Sequence, residues 1–279
     1  MSPKNILINL NDTENLDHTL KSACALAARH DAHLIGVYVI PFFHINVSIH
    51  GSEVMMQELQ DDERQRNREI ASDMVKKFTK SLKSYGILGK TRVVNSVNSE
   101  IAEAFIKQAR TADLVVIPQV ISDQNCNVEN DFVDKVVLSV GRPVVILPRG
   151  KVFEQIGNSV SVGWNLSAEA SRAAFDAVPL MAKDGEVRFV WVDAKQENNN
   201  LPGAEIAEAF SHYGLNVTTA SIQSGKKSVG QTLIHEADIN GSDLLVMGAY
   251  GHSRLRELVF GGATLHTLKN MTLPVLMSR

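Results

Sequence analysis

Two stretches of this chain share one construction: ADLVVIPQV at 112–120 and SDLLVMGAY at 242–250 each lead with an aspartate into an apolar, largely β-branched run. They lie 130 residues apart (242 − 112 = 130). The next apolar run, PVVILPR from Pro143, returns as PVLMSR from Pro274, at an offset of 131 (274 − 143). Ahead of both, NILINLND at 5–12 matches NSVSVGWN at 158–165, at an offset of 153 (158 − 5). A pattern that recurs in order through the whole length means one unit built twice, and the drop from 153 to 130 puts about 23 additional residues in the first copy. With 279 residues, each copy is long enough to bury its own core. The expected division is 1–150 and 151–279, with RGKVFEQIG at 149–157 as the connection.

Within each copy, short apolar runs alternate with segments of helical periodicity. Strands are expected near 4–11, 33–40, 91–96, 113–118 and 143–148, then near 158–164, 186–193, 216–222, 243–248 and 274–278. Helices are expected near 15–30, 53–85, 99–110 and 131–140, then near 167–182, 202–214, 229–238 and 262–270. Strand–helix alternation implies parallel pairing, right-handed crossovers and helices on both faces. The expected fold is therefore α/β: two tandem, doubly wound, parallel five-stranded sheets, Rossmann-like, packed together as a pseudo-dimer.

Composition narrows the function. A formal net charge of −3 with 21% charged residues provides no basic surface for nucleic acid. No apolar run is long enough to span a membrane, and MSPKNILINLND turns polar too soon for a secretory signal. Cys24 and Cys126 lie in unrelated contexts, without CxxC or zinc spacing, and read as reduced thiols of a cytoplasmic protein.

The segment GAYGHSRLRELVFGGATLHTLKN at 248–270 follows the fourth strand of copy two. In open α/β sheets ligands sit beyond the carboxyl ends of the strands, where strand order reverses, and a helix N-terminus offers free N–H groups to a phosphate. Gly248 and Gly251 would let the backbone approach such a group, and Gly261 and Gly262 open the last helix. The same glycines equally suit a plain strand-to-helix turn. His252 and Arg254 either reach a phosphate or belong, with Arg256 and Glu257, to a solvated helical turn.

The duplicated pattern, with MGAYGHSRLRELVFGGATLHTLKNMTLPVLMSR, resembles the universal stress protein family and its tandem members, most strongly in copy two. The resemblance implies a nucleotide alpha-hydrolase-like fold. Its ATP-binding subset carries Gly-x2-Gly-x9-Gly-(Ser/Thr). Here Gly248, Gly251 and Gly261 keep that spacing, while Gly262 stands at the Ser/Thr position, followed by Ala263. The resemblance also implies contacts from the tips of the first two strands, which fall on Asn165, where the family has aspartate, and on Val192. ATP, with the Mg that accompanies it, is the implied ligand, held weakly because one hydroxyl donor is missing.

Copy one departs further. Pro118 and Ile121 stand opposite Gly248 and Gly251, and Asn130 and Asp131 opposite the later pair, so no phosphate cradle is expected there. Asp12 reads as a helix cap or turn residue in NDTENLD, the alternative being a surviving site aspartate. In the insertion, Ile70, Met74, Phe78 and Leu82 recur every fourth residue as the buried stripe of a long helix. PFFHINVSIHGSEVMM ahead of it either packs Phe42, Phe43 and Ile45 under that helix or at a dimer surface, or lines a pocket for an apolar small molecule with Met55 and Met56. His44 and His50 lack partners at metal-ligand spacing. The function expected is a stress-response binding or signalling module with a weak or degenerate adenine-nucleotide site in copy two. The alternatives are a slow ATPase and a carrier of an apolar ligand; the tandem chain could also pair as a homodimer.

Overall fold

The apolar runs become strands that pair into one continuous sheet. The structure, a computed structural model, describes residues 2–41, 53–96, 100–121, 128–194, 203–249 and 262–279, with side chains of 53–61 outside the description. The first half contributes β1 (Asn5–Asn9), β2 (His33–Ile40), β3 (Gly89–Asn95), β4 (Leu114–Pro118) and β5 (Val144–Leu147). The second contributes β6 (Ser159–Gly163), β7 (Glu186–Val192), β8 (Asn216–Ile222), β9 (Leu244–Gly248) and β10 (Val275–Ser278). The helices are α1 (Leu16–His30), α2 (Glu53–Tyr85), α3 (Ile101–Ala109), α4 (Phe132–Ser139), α5 (Ala168–Ala177), α6 (Ala204–Ser211), α7 (Val229–Ile239) and α8 (Gly262–Asn270).

Strand order is β3-β2-β1-β4-β5-β10-β9-β6-β7-β8. Each half is a parallel five-stranded sheet whose order reverses between its first and fourth strands. The two join where β5 and β10 pair antiparallel, with Val275 opposite Ile146, Leu276 opposite Val145 and Met277 opposite Val144. The pseudo-dimer is thus a single ten-stranded sheet with two four-residue strands at its seam.

Alternate strand residues feed two cores. Ile6 and Ile8 face the cluster formed with α1, α2, α5 and α6, while Leu7 faces the cluster formed with α3, α4, α7 and α8. The stripe on α2 packs as its spacing predicts: Met74, Phe78 and Leu82 are buried and Ile70 leans on the same core. Gly36 of β2 admits this helix, since a Cβ there would lie 2.9 Å from Leu10 and 3.1 Å from the Phe78 ring. The insertion lies between β2 and β3, and α2 has 33 residues where α6 has 8. Phe42, Phe43, His44, Ile45 and His50 fall outside the described residues, as do the side chains of Met55 and Met56. Helix α5 ends earlier than its apolar pattern suggests, passing at Val178 into a 3-10 turn that holds Pro179, a residue with no N–H to continue the ladder.

Strand register refines the repeat. Ile6 pairs with Leu34 and Leu114, and Val160 pairs with Val187 and Leu244. The true offset between β1 and β6 is therefore 154 (160 − 6), one more than the sequence match gives, and Asn165 stands opposite Asn11 rather than Asp12. The repeated aspartates have a common structural use. Asp113 accepts from the N–H groups of Lys4 and Asn5, both at 2.9 Å, and Asp243 from those of Gly157 at 2.7 Å and Asn158 at 2.9 Å. Each clamps the start of the neighbouring strand. At Asp113 burial pushes the carboxyl up, but the Lys4 and Asn5 hydrogen bonds and the Arg142 charge outweigh it and hold the pKa below the usual carboxylate value.

The connection between the halves runs along α1. Gly150 N–H donates to Asn15 Oδ1 at 2.9 Å, Phe153 N–H to Ser22 Oγ at 2.9 Å, and Arg29 Nη1 to the Ile156 carbonyl at 2.7 Å. The helix partners are seven residues apart and the connection partners three apart. Seven helical residues rise about 10.5 Å and three extended residues span about 10 Å, so the two spacings match and the chain is held at successive points.

Candidate functional site

In the second half strand order reverses between β6 and β9, the place where ligands of open α/β sheets sit; Asn165 lies two residues past β6, Gly248 ends β9, and Val192 ends the adjoining β7. Asn165 is exposed, and its Oδ1 accepts from Ser167 N–H at 3.1 Å across Leu166, whose φ is 59°. Ser167 caps α5, accepting from Ala170 N–H at 3.1 Å. Val192 is half-buried at the end of β7. The next residue, Asp193, has φ 54° and accepts from Ser224 N–H at 2.8 Å and Ser224 Oγ at 2.6 Å. These two bonds hold its carboxyl below the ordinary value.

Gly248 is required by packing. A Cβ there would lie 2.5 Å from Ala170 N and 2.6 Å from the Glu169 carbonyl carbon, so the first turn of α5 presses directly on the end of β9. Gly262 differs: among the described residues nothing stands within 4 Å of the Cβ position, and the residue is exposed at the start of α8. Ala263 is half-buried, and its carbonyl would lie 2.5 Å from a Cβ at Gly230, so that glycine lets α7 and α8 approach backbone to backbone. Gly251, His252, Arg254 and Gly261 lie outside the described residues.

The equivalent region of the first half is closed by its own side chains. Asp12 is buried and ion-paired with the Arg149 guanidinium, whose Nη2 also lies 3.4 Å from Asp12 Oδ1 and 3.7 Å from Glu14. Burial pushes the Asp12 carboxyl up, and the Arg149 charge and the Asn15 N–H hydrogen bond pull against it. The Asn15 bond is the turn role expected of Asp12; the ion pair is an addition that the sequence reading missed. Asn11 extends the β1–β2 pairing with its side chain, donating to the Val39 carbonyl at 2.7 Å and accepting from Val39 N–H at 2.9 Å. Pro118, which offers no N–H, ends β4, and Asp131 precedes α4 and pairs with Lys135 at 3.1 Å. The buried Gln119 donates from Nε2 to the carbonyls of Leu268 at 2.6 Å and Lys269 at 3.3 Å, and its Oε1 accepts from Arg149 N–H at 3.4 Å. Arg149 reads in sequence as the start of a connection. The usable signal is its place just after β5, which lands it beside the tips of β1 and β4.

Strand order, its reversal in each half and the antiparallel seam define a duplicated Rossmann-like α/β protein. The Universal stress protein family profile matches residues 3–148, and the chain belongs to that family. The profile falls on the first half, whereas the glycine spacing lies in the second. Over 49 residues the chain is 43% identical to universal stress protein Slr1230 of Synechocystis, a match covering 18% of this chain and 17% of that relative. Of solved structures, a universal stress protein from Archaeoglobus fulgidus superposes over 99% of this chain and 96% of its own, with 13% identity and a TM-score of 0.74. A functionally unknown Pseudomonas aeruginosa protein does so over 99% and 92%, with 12% identity and a TM-score of 0.56. At such identities these likenesses show the fold, in its tandem form. No helix among the described residues is long and apolar enough to cross a membrane.

Proposed function

We propose that this chain is a cytoplasmic stress-response binding module that holds an adenine nucleotide, ATP with its Mg, weakly in the second half alone. The nucleotide would lie across the ends of β6 and β9, against Asn165, Val192, Gly248, Gly251, Gly261, Gly262 and Ala263, with His252 and Arg254 near its phosphates. The observation that carries this reading is the contrast between the halves. In the first, Asp12, Arg149 and Gln119 form a mutually bonded network at the strand tips; in the second, Gly262 is an exposed helix start with none of the described residues within 4 Å of its Cβ position. Backbone N–H groups at such a start favour an anion without any charged side chain.

Asn165 would receive or donate a hydrogen bond to the sugar or base without adding charge. Gly262 lacks the hydroxyl that Ser or Thr would offer, a loss of about 1 kcal/mol or several-fold in affinity. Isothermal titration with MgATP tests the reading on the full chain and on Gly251→Val. Weak binding by the unsubstituted chain, abolished in the variant and unchanged in Ile121→Ala, supports it. No heat at millimolar ATP would mean that the glycines serve only a turn.

A further inference from the structure

Gln119 stands at the tip of β4 in the first half, yet its side chain ends on a helix of the second. Helix α8 leaves its last four carbonyls without intrahelical partners, and Leu268 and Lys269 are among them. Gln119 Nε2 meets both, at 2.6 and 3.3 Å, from a residue only 4% exposed. Its carbonyl is in turn tied to Arg149 N–H, and Arg149 to Asp12, so the donor is fixed in orientation from behind. Along its side, α8 rests on α7 through the close approach that Gly230 allows. The helix is therefore gripped at its side by its own half and at its carboxyl end by the other half. Its amino end carries Gly262 and Ala263.

We infer that Gln119 is a positioning residue for the second-half nucleotide site: the first half, its own crevice filled, sets the seat of α8 and hence where the N–H groups of Gly262 and Ala263 point. The inference rests on the nucleotide reading above for its ligand, and on the Gln119–α8 bonds for its mechanism. A rigid helix of nine residues transmits a shift at one end to the other. Losing both donors frees the carboxyl end, because the buried Leu268 carbonyl then loses its Gln119 partner and the outer Lys269 carbonyl its second tie.

The test uses the full chain with Gln119→Leu, similar in size but without donors, and Gln119→Lys, whose ammonium can donate to the same carbonyls and suits the negative end of the helix dipole. Hydrogen exchange is followed by mass spectrometry on peptides covering 262–270 and on the rest of the chain, and MgATP affinity by titration. In Gln119→Leu, exchange within α8 should rise about tenfold while peptides from β1, β4 and β6 stay unchanged, and ATP binding should weaken several-fold. Gln119→Lys should restore both, which a merely space-filling role does not allow. Unchanged exchange in α8, an equal rise throughout the chain, or failure of Lys to do better than Leu overturns the inference. Absence of ATP binding in the unsubstituted chain overturns the nucleotide reading and the role of Gln119 toward it, and the exchange measurement then decides separately whether Gln119 anchors α8.

Discussion

Asp12 and Arg149, 137 residues apart in sequence, form a buried ion pair that joins the tip of β1 to the residue at which the chain leaves the first half. The Asp12 side chain is 1% exposed and that of Arg149 10%. Removing one partner of such a pair strands the other in a poorly solvated place. Arg149→Met should therefore destabilise the fold by about 3 kcal/mol, read from urea unfolding, whereas Asp12→Leu combined with Arg149→Met should lose much less than the two single changes summed. Additive losses would show that the two side chains act independently.

The two described glycines of the segment 248–262, Gly248 and Gly262, should respond oppositely to alanine. At Gly248 the added methyl meets backbone atoms of α5, so Gly248→Ala should cost about 1–3 kcal/mol of stability whether or not ATP is present. At Gly262 the methyl meets none of the described residues and the position is helical, so Gly262→Ala should raise stability by about 0.5–1 kcal/mol. Thermal unfolding of both variants checks the pair, and equal behaviour would refute the packing argument.

His30, in the last turn of α1, gives a pH dependence. Burial, with Arg29 and Lys4 adding to it, pushes its pKa down to about 4 from 6.5, and Nδ1 lies 2.8 Å from Ser2 Oγ. The folded state thus holds the imidazole neutral while the unfolded chain protonates it near 6.5. Its stabilising contribution is complete above pH 6.5 and is lost as pH falls toward 4. The urea midpoint should drop between pH 7 and 4.5 more steeply in the unsubstituted protein than in His30→Gln. Parallel curves would remove His30 from the account.

An isolated second half, residues 151 to 279, should self-associate. Val275, Leu276 and Met277 are fully buried at the seam, and without β5 that edge presents apolar side chains and unpaired backbone groups. Sedimentation should find dimers or larger species at micromolar concentration; a stable monomer there would contradict the seam as a necessary cover.

What the sequence made legible was whatever local pattern determines. The runs LVVIP and LLVMG are apolar on both faces, so their burial between two helical layers followed from composition alone, and the four-residue stripe from Ile70 to Leu82 located the packed face of α2. The bonds made by Gln119 were not legible, because its partner carbonyls lie 149 and 150 residues away and belong to backbone, which leaves no residue type to recognise. Arg149 was hidden for a related reason: RGK after a strand looks the same whether its charge is solvated or buried. The one-residue error in the repeat offset arose because NILIN and SVSVG match almost equally well in either alignment, and only strand pairing distinguishes them.

The connection held along α1 also changes what symmetry demands of the molecule. Two separate copies meeting about a two-fold axis would place every substitution on both sides of it, so a change helpful on one side would be imposed on the other. A short, pinned tether makes the meeting of β5 and β10 a unimolecular event, with an effective concentration high enough for two four-residue strands to serve as the seam. Each side can then carry its own residue at matching places. Gln119 reaches across from the tip of β4, while Ala249, at the corresponding tip of β9, reaches nowhere.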